Sequence, residues 1–193
     1  MEKKNIDWSS IGFGYMPTDY RYVSNFKDGK WDEGTLSTDP NIVLNECAGV
    51  LQYSQSVFEG LKAYTTEDGH IVTFRPDLNA ARMADSAARL EMPVFPEDRF
   101  VDAIKQVVAA NAAYVPPYGS GATLYIRPYM FGIDSVIGVK PATEYQFRIF
   151  TTPVGPYFKG GFAATPYVIT RKYDRAAPLG TGIYKIGGNY AAS

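Results

Sequence analysis

The chain has 193 residues, 46% hydrophobic and 15% aromatic, with 19 Lys and Arg against 20 Asp and Glu for a formal charge of −1. That composition supplies a packed core and excludes a disordered chain, and the lack of any Lys/Arg-rich run argues against nucleic acid or an anionic membrane as main partner. A single cysteine excludes an intramolecular disulfide, a single histidine excludes a zinc cluster or a Ser-His-Asp triad, and no apolar run reaches membrane-spanning length, so a cytoplasmic location is the default.

Residues up to about Asn45 mix aromatics, glycine and aspartate with short alternating pieces such as Tyr20 to Ser24, a pattern of irregular strands and turns. Val57 to Tyr64, then Asp68-Gly69, then Ile71 to Phe74 read as a β-hairpin, because Asp-Gly supplies the positive φ of a tight turn. Pro76-Asp77 opens a helix that Asp77 is placed to cap, with Leu78, Ala81, Met83, Ala84, Ala87, Ala88 and Leu90 as its apolar side. A second helix from near Pro96 carries Phe100, Ile104, Val107 and Val108 in a stripe and is expected to end at Pro116-Pro117. Ala122 to Met130 and Tyr145 to Thr151 read as strands, Gly155 to Gly161 as a glycine-rich linker, and Tyr167 to Arg171 as the first strand of a new unit.

Strands and helices are thus segregated, which predicts an α+β fold: a mostly antiparallel sheet packed with two helices. The expected organisation is a domain over 1–152, a linker or lid over 153–163, and the opening of a second domain over 164–193. The partners of that opening are expected to lie outside the chain, so 165–193 is expected to be poorly ordered or to pack on another molecule.

The densest chemical signal is Gly182-Ile-Tyr-Lys-Ile-Gly-Gly-Asn-Tyr190. A lysine among apolar and small residues, followed by glycines that let backbone approach a ligand, suits a Schiff base, since its amine is nucleophilic only when neutral. A glycine turn between a strand and a helix, with a solvated lysine beside it, explains the same residues. Tyr190 is positioned to reach the same ligand. Glu59, between Phe58 and Gly60, reads as an anchor of local backbone rather than a general acid. Cys47 reads as a small buried hydrophobe, and Lys159 as a surface charge.

Together with Leu51 to Tyr64, Phe74 to Met83, Leu124 to Pro128, Pro153 to Gly161 and Arg175 to Pro178, this segment resembles the branched-chain amino acid aminotransferases. These are pyridoxal-phosphate (PLP) enzymes of fold type IV, and the resemblance runs from roughly Tyr15 to Ser193. It implies that Lys185 forms the Schiff base with PLP and moves the proton, that Tyr190 bonds the cofactor's phenolic oxygen, and that Gly187 and Gly188 leave it room. Arg82 then contacts the cofactor phosphate, for which a guanidinium fork is suited.

The implied substrate contacts are Phe58, Gly60, Tyr125 and Arg127, with Tyr53 and Val139 reaching into a neighbouring subunit's site. Phe58, Tyr53 and Val139 are expected to form an apolar cup, and Arg127 to take the distal carboxylate of glutamate. Pro128 beside it is expected to stand outside any strand ladder, and Tyr157 to close over substrate. The resemblance implies transamination between branched-chain amino acids and 2-oxoglutarate in a homodimer or larger homo-oligomer. It also implies that the pyridine's acidic partner and a phosphate-holding loop lie beyond Ser193, which leaves this chain silent alone. D-amino acid aminotransferases and aminodeoxychorismate lyases share the lysine and the phosphate arginine. A β-rich binding module using the 15 tyrosines as a recognition surface is the reading from another class.

Overall fold

A computed structural model describes residues 2–157 and 163–191. Its strands are β1 (Arg21–Lys27), β2 (Lys30–Trp31), β3 (Thr35–Ser37), β4 (Ser56–Phe58), β5 (Leu61–Thr65), β6 (Ile71–Thr73), β7 (Thr123–Gly132) and β8 (Tyr145–Val154). They form one sheet in the order β2-β1-β8-β7-β5-β6, with β3 added on β1 and β4 on β7. Each of these pairings is antiparallel. The helices are α1 (Gly49–Tyr53), α2 (Pro76–Arg89), α3 (Glu97–Ala110) and α4 (Gly187–Ala191), with a 3₁₀ turn at Ala112–Tyr114. The fold is α+β, as the segregated pattern predicts.

Alternation along β7 decides which residues meet. Leu124, Ile126 and Met130 are buried on the face that holds the core with Val57, Phe147 and Ile149 and the α2 and α3 residues Met83, Ala87, Phe100, Ile104 and Val107. The intervening Tyr125, Arg127, Tyr129 and Phe131 point to the opposite face, because side chains change sides at every residue of a strand. Phe58 leaves β4 on that same side, one residue after the fully buried Val57.

The hairpin closes as expected, with Gly69 at φ 85° and the Thr66 amide donating to the His70 carbonyl. Val57 to Tyr64 is not one strand, however; it breaks at Glu59-Gly60, between the pairs Phe58↔Tyr129 and Leu61↔Ile126. Opposite the break stands Pro128, which has no N–H to offer. Pro128 is nonetheless inside the ladder: it pairs with Ile149, and its carbonyl accepts from the Glu59 amide at 2.7 Å.

Four further expectations need correction. Asp77 does not cap α2; Arg75, in the left-handed region at φ 46°, precedes the helix, Pro76 opens it, and Asp77 instead pairs with the Arg75 guanidinium at 2.6 Å. The buried side of α2 is Ala80, Met83, Ser86 and Ala87, while Leu78 is 56% exposed. Helix α3 stops at Ala110, before Pro116, because Asn111 turns its amide back to its own helix and ties the Tyr20 backbone with its side chain.

The fourth concerns 164–191. Tyr167 to Arg171 is no strand: no described segment offers it a ladder, and Tyr167, Val168 and Ile169 stand about nine-tenths exposed. The last described residues do pack, and on this same chain. Ile186 is 4% exposed and bridges Val57, and α4 sits on β4. The linker expected over 153–163 begins inside β8, which runs to Val154, and 158–162, including Lys159, lie outside the described residues.

Candidate active site

The ring of Phe58 is the hub of the site. The Lys185 amine lies 4.4 Å from its centre, the Arg127 guanidinium 4.8 Å, and the Tyr190 ring meets it edge-on at 4.8 Å. Both cations are within the range over which a ring quadrupole attracts positive charge. The Lys185 amine also donates to the Tyr190 hydroxyl at 3.2 Å, so a primary amine and a phenol share one hydrogen bond.

Backbone bonds fix this lysine. The Phe58 amide donates to its carbonyl at 3.2 Å, and its own amide donates to the Ser86 hydroxyl at 3.0 Å. Gly187 follows because α4 starts hard against β4: a Cβ there would come within 2.4 Å of the Ser56 hydroxyl.

Arg127 and Tyr125, two apart on β7, share a face, and the guanidinium donates through Nε and Nη2 to the Tyr125 hydroxyl at 3.1 and 2.8 Å. Gly60 is required beneath them, since a Cβ there would lie 2.4 Å from that hydroxyl. An open cavity of about 460 Å³ along this face is walled by Phe58, Arg127, Val50, Tyr129, Phe131 and Phe150, among others. It is apolar with one cation, a shape and charge suited to an aliphatic side chain or a carboxylate.

Arg82 projects from the half-exposed side of α2. Its Nε and Nη2 meet Glu59 Oε1 and Oε2 at 2.6 and 2.7 Å, and Asn79 donates to Oε2 at 2.7 Å. The hydrogen bond with the Glu59 carboxylate holds the Arg82 pKa above its usual value against the opposing effect of burial, and the Tyr190 phenol adds to the rise.

Of the residues expected at the site, the structure brings together Phe58, Gly60, Tyr125, Arg127, Lys185 and Tyr190, with Arg82 joined through Glu59. Tyr157 connects indirectly: Phe13 stands edge-on to Tyr157 at 5.0 Å and to Tyr125 at 5.8 Å. Tyr53 and Val139 do not form a cup with Phe58. They line a separate open cavity of about 530 Å³ with Gln55, Leu90, Ile186 and Asn189, and Val139 is 87% exposed. No group of His, Cys, Asp and Glu able to hold a metal occurs among the described residues, and none of their helices is long and apolar enough to cross a membrane.

Two contributors are not foreseen from the sequence: Ser86 receives the Lys185 amide, and Phe13 bridges to Tyr157. Glu59, expected to anchor backbone, also carries the Arg82 pair. Ser86 alone left a signal, as a hydroxyl on the buried side of a helix.

No family model matches the chain. It is 55% identical over 190 residues to the branched-chain-amino-acid aminotransferase of Haemophilus influenzae, covering 98% of this chain and 55% of that protein. It is 47% identical over 191 residues to the branched-chain-amino-acid aminotransferase of Helicobacter pylori, covering 98% and 56%. The chain thus spans about half the length of the curated relatives it matches. Among solved structures, a T.th. branched-chain amino acid aminotransferase complexed with N-(5'-phosphopyridoxyl)-L-glutamate aligns with a TM-score of 0.67 at 25% identity, over 92% of this chain and 53% of that one.

Proposed function

We propose, from the premise that this chain belongs by sequence and fold with the branched-chain-amino-acid aminotransferases, that the protein carrying it moves the amino group between leucine, isoleucine or valine and 2-oxoglutarate with PLP as cofactor. The observation that carries the reading is the convergence of the Lys185 amine, the Tyr190 phenol and the Arg127 guanidinium on the Phe58 ring.

The donor set fits the cofactor: an amine for its aldehyde, a phenol for its ring oxygen, and a guanidinium for its phosphate. When bound, PLP supplies the electron sink that makes a substrate Cα–H acidic. Lys185, released as a free amine, would accept the proton from the substrate Cα and deliver it to the carbon that had carried the cofactor's aldehyde, serving as general base and then general acid from one fixed position. Tyr190, already bonded to that amine, keeps it oriented. Arg82 pairs with phosphate oxygens through the guanidinium hydrogens that its bonds to Glu59 leave unused. Phe58 and the apolar walls of its cavity take the aliphatic side chain. Arg127 receives the distal carboxylate when glutamate or 2-oxoglutarate is present, and Tyr125 and Gly60 hold it in place. Tyr157 covers the site and leans on Phe13.

Tyr53 and Val139 sit at another cavity, which supports their serving the site of a second copy in a homodimer or larger assembly. The reading is of a cytoplasmic enzyme. The test is turnover: the purified whole protein, supplied with PLP, is expected to form glutamate from 2-oxoglutarate and leucine. Turnover of D-alanine without leucine would assign it to a different fold-type IV reaction.

A further inference from the structure

We infer that Glu59 is a positioning residue for cofactor phosphate, locking the Arg82 guanidinium in one orientation by a two-bond carboxylate clamp. The inference rests on Arg82 being the phosphate contact.

Glu59 is fully buried, whereas the Arg82 side chain is half-exposed. An ionised carboxylate without solvent must be paired and hydrogen-bonded to be tolerated. Glu59 has four donors: Nε and Nη2 of Arg82, the Asn79 side-chain amide, and the Gly60 backbone amide at 3.2 Å. Its own amide is tied to the Pro128 carbonyl, so the clamp stands on the break between β4 and β5 and moves with the sheet.

The guanidinium edge formed by Nε and Nη2 is consumed by the clamp, while Nη1 makes no protein bond among the described residues. A free arginine loses rotamer entropy when a ligand immobilises it, and one clamped beforehand has already lost most of that. Two consequences oppose each other. The clamp orients Nη1, which favours phosphate, and the carboxylate offsets part of the cationic field, which disfavours it. Orientation prevails if Arg82 acts by geometry rather than by charge alone; the two bonds at 2.6 and 2.7 Å to a buried, immobile partner support that.

The experiment compares dissociation constants of the whole protein for PLP and for pyridoxal, which lacks the phosphate. Glu59→Gln retains the shape but lets the side chain accept through only one atom. It is expected to weaken PLP about ten-fold while leaving pyridoxal within about two-fold. Asn79→Ala, a milder loosening of the same carboxylate, is expected to shift the same ratio about two-fold, and it decides the matter if Glu59→Gln fails to fold. In an Arg82→Ala background Glu59→Gln should leave the ratio unchanged, because the clamp acts only through the arginine.

Equal losses for PLP and pyridoxal would make Glu59 a purely structural residue, and tighter PLP binding would make it a competitor for the guanidinium; either overturns the inference. If Arg82→Ala leaves the ratio intact, the phosphate assignment of Arg82 falls and the inference with it. If Arg82→Ala shifts the ratio and Glu59→Gln does not, only the inference falls.

Discussion

Phe58 and Lys185 hold each other twice: the Phe58 amide donates to the Lys185 carbonyl at 3.2 Å, and the Lys185 amine lies 4.4 Å from the Phe58 ring centre. The backbone bond sets where the lysine is, and the ring sets where its amine points. Removing the amine therefore need not disturb the strand.

Lys185→Ala in the whole protein is expected to abolish leucine transamination and keep the fold, since the side chain contributes no large apolar burial. Normal turnover with an unchanged circular dichroism spectrum would remove Lys185 from the chemistry.

Ser86→Ala deletes the acceptor of the Lys185 amide and leaves a donor unpaired beside the core. The expected cost is about 1–3 kcal/mol, concentrated where the segment docks. Hydrogen exchange should accelerate at 184–186 with little change in β7 and β8. Uniform acceleration would mean that Ser86 supports α2 rather than the lysine.

Arg127→Leu is expected to harm the glutamate half-reaction more than the leucine half-reaction by about 2 kcal/mol, or roughly thirty-fold. A second carboxylate left unpaired in an apolar cavity carries that penalty, and an aliphatic side chain does not. Single-turnover rates for the two amino acids measure it, and equal losses would place Arg127 at a group common to both.

Gly60→Ala pushes a methyl group to 2.4 Å from the Tyr125 hydroxyl. Overpacking of that kind costs about 1–3 kcal/mol and should displace Arg127 with the tyrosine. Adding Tyr125→Phe removes the nearest atom, so the double variant should regain part of the lost stability. An additive double variant in thermal melts would show that backbone conformation, and not this contact, demands the glycine.

Asp134 titrates with the loop that carries Val139. Burial works to raise its pKa, but the Thr143 and Glu144 amides and the Thr143 hydroxyl outweigh that and hold it below its ordinary value. A depressed carboxyl stabilises the fold fully above its unfolded pKa of about 3.9, and that contribution is lost as pH falls through the folded value. Asp134→Asn should therefore flatten the acid limb of the melting temperature below about pH 4 and lower stability at pH 7. An unchanged acid limb would contradict this.

What the sequence made legible was local. The Asp68-Gly69 turn, the stripe Phe100, Ile104, Val107 and Val108, and the alternation of Leu124, Ile126 and Met130 each follow from neighbours within a few residues. The site residues were named by resemblance, since nothing local tells Arg82 from Arg89. What stayed hidden was long-range pairing. Glu59 finds Arg82 only because a hairpin and a helix turn the chain back, and Ser86 finds Lys185 across most of the fold. Tyr167 to Arg171 shows the converse: apolar, strand-like residues remain unpaired where no ladder is offered.

The bridge between Val57 and Ile186 also imposes an order in time. The eight described strands are complete at Val154, whereas Lys185 lies about thirty residues further along. A ribosome adding ~5–20 residues per second delivers that lysine roughly two to six seconds later. Phe58 and Ser86 are therefore synthesised before the lysine that docks on them, so the receiving surface is the earlier-made partner.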